Sequence, residues 1–479
     1  NYTAPLIETE DGRYNRVKFL SGDVSAMLKT VIAHTPVTWK AGVKKTEDTR
    51  DFELSREHYL YTYTGPGAGL GAWGGYVSPF LYDVGVLGAN LQTSSGNPVF
   101  YPALLRMYDL FRQHPEYFTQ TLTGTNYYNA NIANKKHYVE DIDAAFLMAT
   151  ASLPKKVTLR AGLRWEETSG DSLEFNPRTP AEVVAAGYAV AAGRATSVDG
   201  IKYQYESRPR VHRKGSYDNL FPSASLKYQP WRNLDLQLGY SSTIRRPTFR
   251  DVAGVWTIND ESLTVSAPNP GLQPEESHNY SFRAAYYFEP VGIFAVNFFQ
   301  NNVRGLHRTT TLTPEEYGYA GDQDLTGYLI STTVSSANEV VVRGMELEYS
   351  QSLSFLPGAL SGLNVRASYT RNYADVVITG MSGHGVSGGL GYTLGRASVY
   401  ANANWHSDRP TNLTNTMYVR HRLNIDVGGS VRVTDRVSVF LNVRNILDEP
   451  YRTMQVFPNG SAAVQKYEIF GTNFTLGVK

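Results

Sequence analysis

Few residues of this chain have the types and spacing that catalysis or ligand chemistry requires. The run Gly69-Leu-Gly-Ala-Trp-Gly74 matches the glycine pattern of dinucleotide-binding loops. That pattern holds a pyrophosphate only between a strand and the first turn of a helix, and neither can be placed around it. Asp322 and Asp324 could ligate calcium, but the sequence supplies too few further oxygen ligands beside them, which favours a solvated turn.

The remaining reactive side chains do not form a catalytic pattern either. The ten histidines show no paired spacing for a metal, and His406 is better explained as an inward-facing residue of a strand. The chain has no cysteine, which excludes disulfides and thiolate sites, and its net charge of +1 argues against nucleic-acid binding. We find no nucleophile elbow and no justified acid/base pair, so we predict no enzyme, no metal and no cofactor.

Aromatic residues between the predicted strands give the one indication of a ligand. Their rings could stack on sugars or on flat aromatic ligands, with polar neighbours fixing the orientation. Aromatic girdles at a membrane interface have the same composition without binding anything, so both interpretations stay open. The candidate substrate-binding residues are Trp73, Tyr76, Phe80, Tyr127, Tyr128, Trp256, Tyr317 and Tyr319.

The element that positions these residues is a β-strand, and residues 278–301 show its pattern most clearly. Tyr280 and Phe282 share one parity with further apolar residues, whereas Arg283 and mostly polar residues take the other. Alternate side chains of a strand point to opposite faces, so one face is apolar. A shift of one residue would turn Arg283 toward the apolar medium, at about 2–4 kcal/mol in mid-bilayer lipid.

The same alternation recurs along most of the chain, which contains 42 Gly, 33 Tyr and 20 Phe and has no apolar run long enough for a membrane helix. A short helix is expected within residues 102–118. Besides the hairpin at 278–301, the sequence predicts strands at 24–33, 37–45, 138–151, 157–167, 221–228, 234–242, 340–355, 363–373, 385–392, 397–405, 422–433, 437–444 and 465–479.

Short turns alternate with long polar loops between these strands. Bacterial outer-membrane barrels show the same alternation, with the long loops on the exterior side. A soluble sandwich has no reason to alternate its turns in this way. We therefore predict an all-β fold, a transmembrane antiparallel β-barrel with about fifteen strands in this chain. An odd number of strands whose last strand ends on the periplasmic side must begin on the exterior side. Bacterial single-chain barrels normally have an even number of strands, so earlier strands of the barrel are expected to be missing.

Polar residues on the inward parity are expected to face the lumen of this barrel. They would hydrogen-bond a plug if the barrel is plugged, or line water if it is open. The set comprises Arg160, Arg164, Asp235, Arg283, Glu346, Glu348, Arg366 and Arg444.

Five segments resemble landmarks of the TonB-dependent outer-membrane receptors, in that family's usual order. They are Tyr217-Asp-Asn-Leu-Phe-Pro-Ser-Ala-Ser-Leu-Lys-Tyr228, Tyr240-Ser-Ser-Thr-Ile-Arg-Arg-Pro-Thr-Phe249, Asn269-Pro-Gly-Leu-Gln-Pro-Glu-Glu-Ser-His-Asn-Tyr280, Val342-Arg-Gly-Met-Glu-Leu-Glu-Tyr349 and Leu441-Asn-Val-Arg-Asn-Ile-Leu-Asp-Glu-Pro-Tyr451. Residues 137–479 match as C-terminal barrel strands. Residues 1–136 match only loosely, as early strands and a long extracellular loop.

The resemblance implies a barrel of about 22 strands with a plugged lumen, of which residues 1–479 would be a part without the N-terminal plug. Members usually end on an aromatic residue, whereas this chain ends Leu476-Gly-Val-Lys479, so a few further residues are expected. The implied function is nutrient uptake across the bacterial outer membrane with energy from the TonB complex, which would engage a segment missing here. Oligosaccharide ranks slightly above iron chelate (siderophore) as the cargo.

Outer-membrane lipid or lipopolysaccharide, a small-molecule nutrient and a surface lipoprotein are the other partners expected. Two alternatives stay open: a passive pore or structural barrel, and a surface module that docks a partner protein.

Overall fold

The computed structural model describes residues 6–8, 13–54, 59–66, 81–83, 100–102, 104–259, 263–319 and 325–479. Its main element is a fifteen-stranded antiparallel sheet in which each strand pairs with its neighbours in the chain. This sheet, here called the wall, confirms the predicted fold class and strand number. Its strands β1 to β15 are Arg13–Ile32, Thr35–Leu54, Lys136–Leu153, Val157–Glu174, Val211–Trp231, Leu234–Arg245, Glu275–Phe288, Val291–Arg304, Val340–Ser352, Leu363–Ala374, His384–Leu394, Ala397–His406, Arg422–Thr434, Val437–Arg444 and Asn473–Val478.

Connections of two kinds alternate along the wall. The short ones lie at one end, have two or three residues except for the ten of 353–362, and comprise residues 33–34, 154–156, 232–233, 289–290, 353–362, 395–396 and 435–436. The long ones lie at the other end and comprise residues 55–135, 175–210, 246–274, 305–339, 375–383, 407–421 and 445–472. In outer-membrane barrels the end with long loops faces the exterior.

The two faces of the wall differ as the alternation predicts. Phe282 lies directly opposite Phe298 and Arg283 directly opposite Asn297, so each face stays uniform across the strand pair. The two phenylalanines are 37% and 46% exposed. A continuous face of such exposed apolar side chains, repeated from strand to strand, indicates a surface that meets lipid. We call this the outward face and the opposite one the polar face.

The wall strands extend further toward the loop end than the apolar alternation does. The sequence predicts a polar loop at 168–217 between the strands 157–167 and 221–228, and both ends of that loop are wrong. Strands β4 and β5 pair without interruption from Val157↔Tyr228 to Glu174↔Val211. Polar side chains do not weaken a backbone ladder, and beyond the lipid they are solvated on both faces. The loss of apolar alternation therefore marks the end of the lipid contact and not the end of the strand.

The predicted closing strand at 465–479 is divided in the structure. Ala462–Glu468 belongs to a loop sheet, and only Asn473–Val478 joins the wall. Between them Gly471 has a φ of +70°, a conformation that glycine adopts without steric cost. The Asn445 side-chain amide donates to the Gly471 carbonyl oxygen at 3.3 Å, which fixes the bend.

The long loops contain short elements of their own. Their strands are Leu6–Glu8, Leu60–Tyr63, Leu81–Asp83, Phe100–Pro102, Phe118–Thr121, Val190–Ala191, Arg194–Ala195, Thr257–Asn259, Thr264–Ser266, His307–Leu312, Leu329–Ser335, Arg409–Pro410, Met417–Val419, Tyr451–Val456 and Ala462–Glu468. Their α-helices are Leu104–Gln113, Gly124–Tyr128, Pro180–Ala185, Val198–Glu206, Phe249–Val252 and Pro314–Tyr317, and Asn129–Ala133 is a π-helix. Pro115–Tyr117 and Gly358–Gly362 are 3₁₀ turns. The helix expected within 102–118 is present as Leu104–Gln113.

The described wall is an open sheet, since β1 and β15 each pair on one side only and not with each other. No plug domain is seen among the residues that the structure describes. No helix in the described ranges is both long and apolar enough to cross a membrane.

Candidate functional site: the loop layer

Two loops at the exterior end of the wall fold together around a common apolar cluster, the first loop core. It joins the segment after β2 to the connection between β4 and β5. Its buried members are Tyr127, Tyr128, Ile132, Phe175, Val183, Ala195, Ile201 and Tyr205. Ile132, Val183 and Ile201 have no exposed surface. The described parts of these two loops are therefore held together by their own apolar contacts.

Side-chain caps fix the short helices that carry this core. The Thr179 hydroxyl accepts from the Glu182 N–H at 3.1 Å, and the Glu182 carboxylate accepts from the Thr179 N–H at 2.8 Å. This reciprocal arrangement satisfies two N–H groups at the start of Pro180–Ala185. The bond from the Thr179 N–H is the main cause that lowers the pKa of Glu182, with Arg208 adding to it. Helices of this length are unstable alone and depend on such contacts.

The next two connections form a second loop core. Thr257–Asn259 and Thr264–Ser266 pair with each other, and Leu329–Ser335 links the latter to His307–Leu312. The buried members are Trp256, Ile258, Val265, Ala267, Leu325 and Ile330, with Tyr317, Tyr319 and Tyr328 packed around them. Val265 and Ile330 are fully buried, so this core is as dry as that of a soluble domain.

An arginine on the polar face of β5 contacts the aromatic edge of the second loop core. The Arg213 guanidinium carbon lies 5.3 Å from the ring centre of Trp256, and its Nε is 2.7 Å from Glu174 Oε2. The Arg213 side chain keeps 40% of its surface exposed. Trp256 makes an edge contact with Tyr317 at 5.5 Å. The cluster places the Arg213 guanidinium, which is paired with Glu174 but 40% exposed, beside mostly buried aromatic rings, and its exposed part is the surface that could meet an anionic ligand.

Tyr317 within this cluster is a neutral hydrogen-bond donor. Its hydroxyl donates to the Pro268 carbonyl oxygen at 2.7 Å. Burial raises the pKa of Tyr317 to about 12, although the nearby Arg213 acts in the opposite direction. The hydroxyl stays protonated at neutral pH, so it can orient a ligand or a loop but does not serve as a base.

Residues 246–274 bend over the polar face of the wall instead of extending into solvent. Gly170 and Gly215 lie directly opposite each other in β4 and β5. A Cβ on Gly215 would collide with the Pro270 carbonyl oxygen, and a Cβ on Gly170 would collide with the Tyr138 hydroxyl. The missing side chain at Gly215 thus permits the close approach of the loop, whereas Gly170 makes room for Tyr138 of β3, and about 20 Å³ of space remains beside them.

Ion pairs hold the same loop to the wall. Arg246 binds Glu166, which also accepts from Arg164 Nε at 2.6 Å. Lys136 lies 5.9 Å from the ring centre of Phe249. Neighbouring loops are linked as well, because the Thr333 hydroxyl donates to Asp251 at 3.2 Å. These contacts couple the position of the loop directly to the polar face of the barrel.

The structure places the predicted substrate-binding residues in different environments. Tyr127, Tyr128 and Trp256 are only 5–7% exposed and pack within the loop cores, whereas Tyr317 and Tyr319 are half-buried. Trp73, Tyr76 and Phe80 lie outside the described residues, as do the glycine run at 69–74 and the pair Asp322 and Asp324. Ligand contact by any of these residues stays a prediction.

All eight residues predicted to face the lumen lie on the polar face of the wall. Arg283 Nη2 contacts Glu348 Oε2 at 3.0 Å, and Asp235 contacts Lys227 Nζ at 2.9 Å. The wall thus neutralises several of these charges by itself, and their contact with a plug or with water stays a prediction. His406, which shares this face, has Nδ1 3.0 Å from the Ser407 carbonyl oxygen.

Sequence reasoning missed Arg213 and the glycine pair. Gly170 and Gly215 fall outside the predicted strands at 157–167 and 221–228. A glycine within a strand often marks the close approach of another backbone, but this signal could be read only once the structure extended both strands. Within the described residues, no group of three or more His, Asp or Glu side chains is arranged to hold a metal ion.

Comparison with known proteins identifies the architecture. The family model described as TonB dependent receptor-like, beta-barrel, matches residues 12–446. No curated protein sequence matches the chain.

Solved structures of similar fold cover nearly the whole chain. The siderophore receptor PiuA from Acinetobacter baumannii covers 97% of this chain with a TM-score of 0.57 at 14% identity. The closed form of the ferric-catecholate import receptor Fiu from E. coli K12 covers 96% with a TM-score of 0.56 at 14% identity. The ferric yersiniabactin uptake receptor FyuA from Yersinia pestis covers 99% with a TM-score of 0.53 at 11% identity. The match spans 56%, 54% and 55% of those three chains, so this chain has about half their length.

Proposed function

This chain belongs to the TonB-dependent receptor family, and we propose that it forms part of a receptor that binds a scarce nutrient at its external loops and imports it with TonB-supplied energy. Proteins of this family lie in the bacterial outer membrane and are transporters, not enzymes. The single observation that carries the proposal is the packing of residues 246–274 onto the polar face of the wall. A loop that touches both the exterior and the lumen can pass a bound nutrient from one to the other.

We propose an iron chelate as the cargo. The support is twofold: the similar solved structures include receptors for a siderophore, a ferric catecholate and ferric yersiniabactin, and the Arg213 cluster combines a cation with aromatic rings. Among the described residues, Arg213, Tyr317 and Tyr319 are the proposed contacts. The expectation of an oligosaccharide finds no support in the comparisons. Docking of a surface lipoprotein stays a prediction.

Uptake by cells that produce the full-length receptor tests both the energised transport and the identity of the cargo. We expect accumulation of an isotope-labelled ferric chelate that a protonophore abolishes, and no accumulation of labelled oligosaccharide. Passage that continues without a proton gradient would contradict an energised receptor and favour a passive pore. Energised uptake of the oligosaccharide alone would refute only the cargo.

A conservative substitution separates the ligand contact from the fold. Arg213→Lys keeps a cation beside Glu174 but removes the planar group that lies over Trp256. We expect about a fivefold weaker affinity for the chelate, because an ammonium cannot form the paired hydrogen bonds that a guanidinium forms with an anion, and the loss of one such bond of about 1 kcal/mol corresponds to that factor. Arg308→Lys, at an exposed position of the same loop layer, is the matched control and should bind as the unmodified receptor does. Equal affinities of both variants would remove Arg213 from the site.

A further inference from the structure

The outward face of β6 to β10 has two transverse rows of side chains where its apolar band ends. Successive members of each row lie directly opposite one another on neighbouring strands. The lower row consists of Leu238, Phe282, Phe298, Met345 and Arg371. The upper row, one step nearer the exterior, consists of Tyr240, Tyr280, Gln300, Arg343 and Tyr373. Both rows therefore begin apolar or aromatic and reach an arginine on β9 or β10.

A groove of about 570 Å³ runs between these rows. It is lined by outward side chains of both rows and by the backbone of Gly239, Ser281 and Gly344, which lie between the rows and whose side-chain positions belong to the polar face. Phe282 and Phe298 stack at 6.5 Å between ring centres along its length. Such a groove has the shape and apolar surface to hold an extended hydrocarbon chain.

The two arginines at the end of the groove form a concentrated positive charge. Arg343 lies directly opposite Tyr373, and Arg371 is two residues before it, so the two arginines occupy diagonal positions about 7–8 Å apart. Both are exposed. Within the described part of the chain neither forms an ion pair with a carboxylate, and Glu339, the acid preceding β9, binds Arg304 at 2.7 Å.

Neutral contacts fix the direction of both guanidinium groups. The Arg343 guanidinium carbon lies 4.8 Å from the ring centre of Tyr373. Arg371 Nη1 is 2.6 Å from His384 Nε2 and 3.2 Å from the Gly383 carbonyl oxygen. His384 Nδ1 is in turn 2.9 Å from the Tyr369 hydroxyl. The arginines are thus held in place without being neutralised.

This positive charge is not a general property of the membrane boundary in this protein. On β3, β4 and β5 the first outward residues beyond the apolar band are Asp143, Glu167 and Asp218, which lie directly opposite one another. Among the described residues, Lys45 on β2 is the one cation that contacts this acidic row, at 3.1 Å from Asp143. An anion in the surrounding membrane would be repelled there and attracted to β9 and β10.

We propose that the groove is a binding site for a phosphorylated, acylated lipid of the outer leaflet, with a phosphate between Arg343 and Arg371 and an acyl chain along Phe282 and Phe298. Guanidinium groups bind phosphate oxygens through paired, charge-assisted hydrogen bonds. The apolar walls shelter the hydrocarbon, and the position at the end of the apolar band sets the headgroup at the height of the lipid phosphates. The site is independent of the cargo that the receptor imports.

The test uses the full-length receptor, stripped of lipid in detergent and titrated with purified lipid A under native mass spectrometry. Arg343→Ala combined with Arg371→Ala should bind phosphorylated lipid A about thirtyfold more weakly, as expected for two cation–phosphate contacts of about 1 kcal/mol each. Lys45→Ala combined with Arg304→Ala removes the same charge from the outward face elsewhere and should leave the affinity unchanged. Equal weakening by both double variants would overturn the site, since only net charge would then matter.

Ligand variants and a conservative substitution keep the proposal testable if the double alanine variant folds poorly. Dephosphorylated lipid A should bind the unmodified receptor as weakly as phosphorylated lipid A binds the double variant, and inorganic phosphate should not compete. Arg343→Lys combined with Arg371→Lys keeps the charges and should retain most of the affinity. Undiminished binding of dephosphorylated lipid would refute the phosphate contact, and displacement by inorganic phosphate would refute the role of the acyl groove.

Discussion

Phe298 in the wall is 46% exposed and Leu390 is 56% exposed, whereas Val265 and Ile330 in the second loop core have no exposed surface. The wall places its apolar side chains in lipid, and the loop layer places them inside protein. Wall strands are held by backbone ladders to their neighbours, because lipid offers no other hydrogen-bond partner. The loop layer depends on removal of apolar surface from water. One chain therefore contains a wall stabilised by backbone hydrogen bonds in lipid and a loop layer stabilised by apolar burial from water.

A charge placed in a loop core should produce the largest difference in stability between the loop layer and the wall. Val265→Asp introduces a carboxylate at a position without solvent or a cationic partner, and we expect the loop layer to lose several kcal/mol of stability. Limited proteolysis of the receptor in membranes should then cut within the connections 246–274 and 305–339, while the unchanged heat-dependent mobility of the receptor in gels shows that the wall stays folded.

The matched control for this substitution is Val184→Asp, at a position of the same layer that is 58% exposed. It should be cleaved no faster than the unmodified receptor. Loss of the folded wall in Val265→Asp would contradict the independence of the two regions.

The converse substitution places a charge in the lipid contact of the wall. Leu390→Arg, on the outward face of β11, should lower the free energy of unfolding by about 2–4 kcal/mol in phospholipid vesicles. Urea titration followed by tryptophan fluorescence measures this difference. Val464→Arg, 50% exposed in a loop strand, is the control that faces water. A cost of equal size at both positions would mean that residue 390 does not meet lipid.

Acidification should affect the loop layer by a smaller amount and in a definite direction. The folded-state pKa of Glu182 lies below its usual value of 4.5, so the carboxylate stabilises the helix Pro180–Ala185 above that pH and loses this contribution as the pH falls through the folded value. Hydrogen exchange of the helix amides, corrected for intrinsic rates, should show weaker protection at about pH 4 than at about pH 6.

Glu182→Gln keeps a hydrogen-bond acceptor at the start of the helix but removes the titrating charge. It should show lower protection at neutral pH and little further change on acidification. An unmodified receptor whose helix protection is the same at both pH values would disprove the contribution of the capping carboxylate.

The wall was largely predictable because its period is short and its environment is uniform. Arg283 and Phe282 are adjacent in sequence, and their opposite polarity alone assigns each to a face. Strand ends were less predictable, because Thr168 and Ser169 continue β4 with no apolar alternation to mark them. The divided closing strand depends on contacts of Asn445 with residues 471 and 472, more than twenty positions away.

The loop layer was not predictable in the same way. Trp256 and Tyr317 were expected to offer their rings to a ligand, yet Trp256 packs into a core whose other members come from residues 258–330. No local period indicates such packing, since each contact joins segments that are distant in sequence. The same holds for Arg343 and Arg371, whose joint position requires the register of β9 against β10.

By itself the sequence determined that this chain forms an antiparallel membrane wall with short turns at one end and long loops at the other. Lipid enforces that outcome, because each alternate residue must be apolar and each backbone group must be paired within the sheet. Only the tertiary structure decided which loop residues are buried, how residues 246–274 reach the polar face, and which outward side chains surround a common groove. Those features arise from contacts between distant segments, and such contacts leave no period in the sequence.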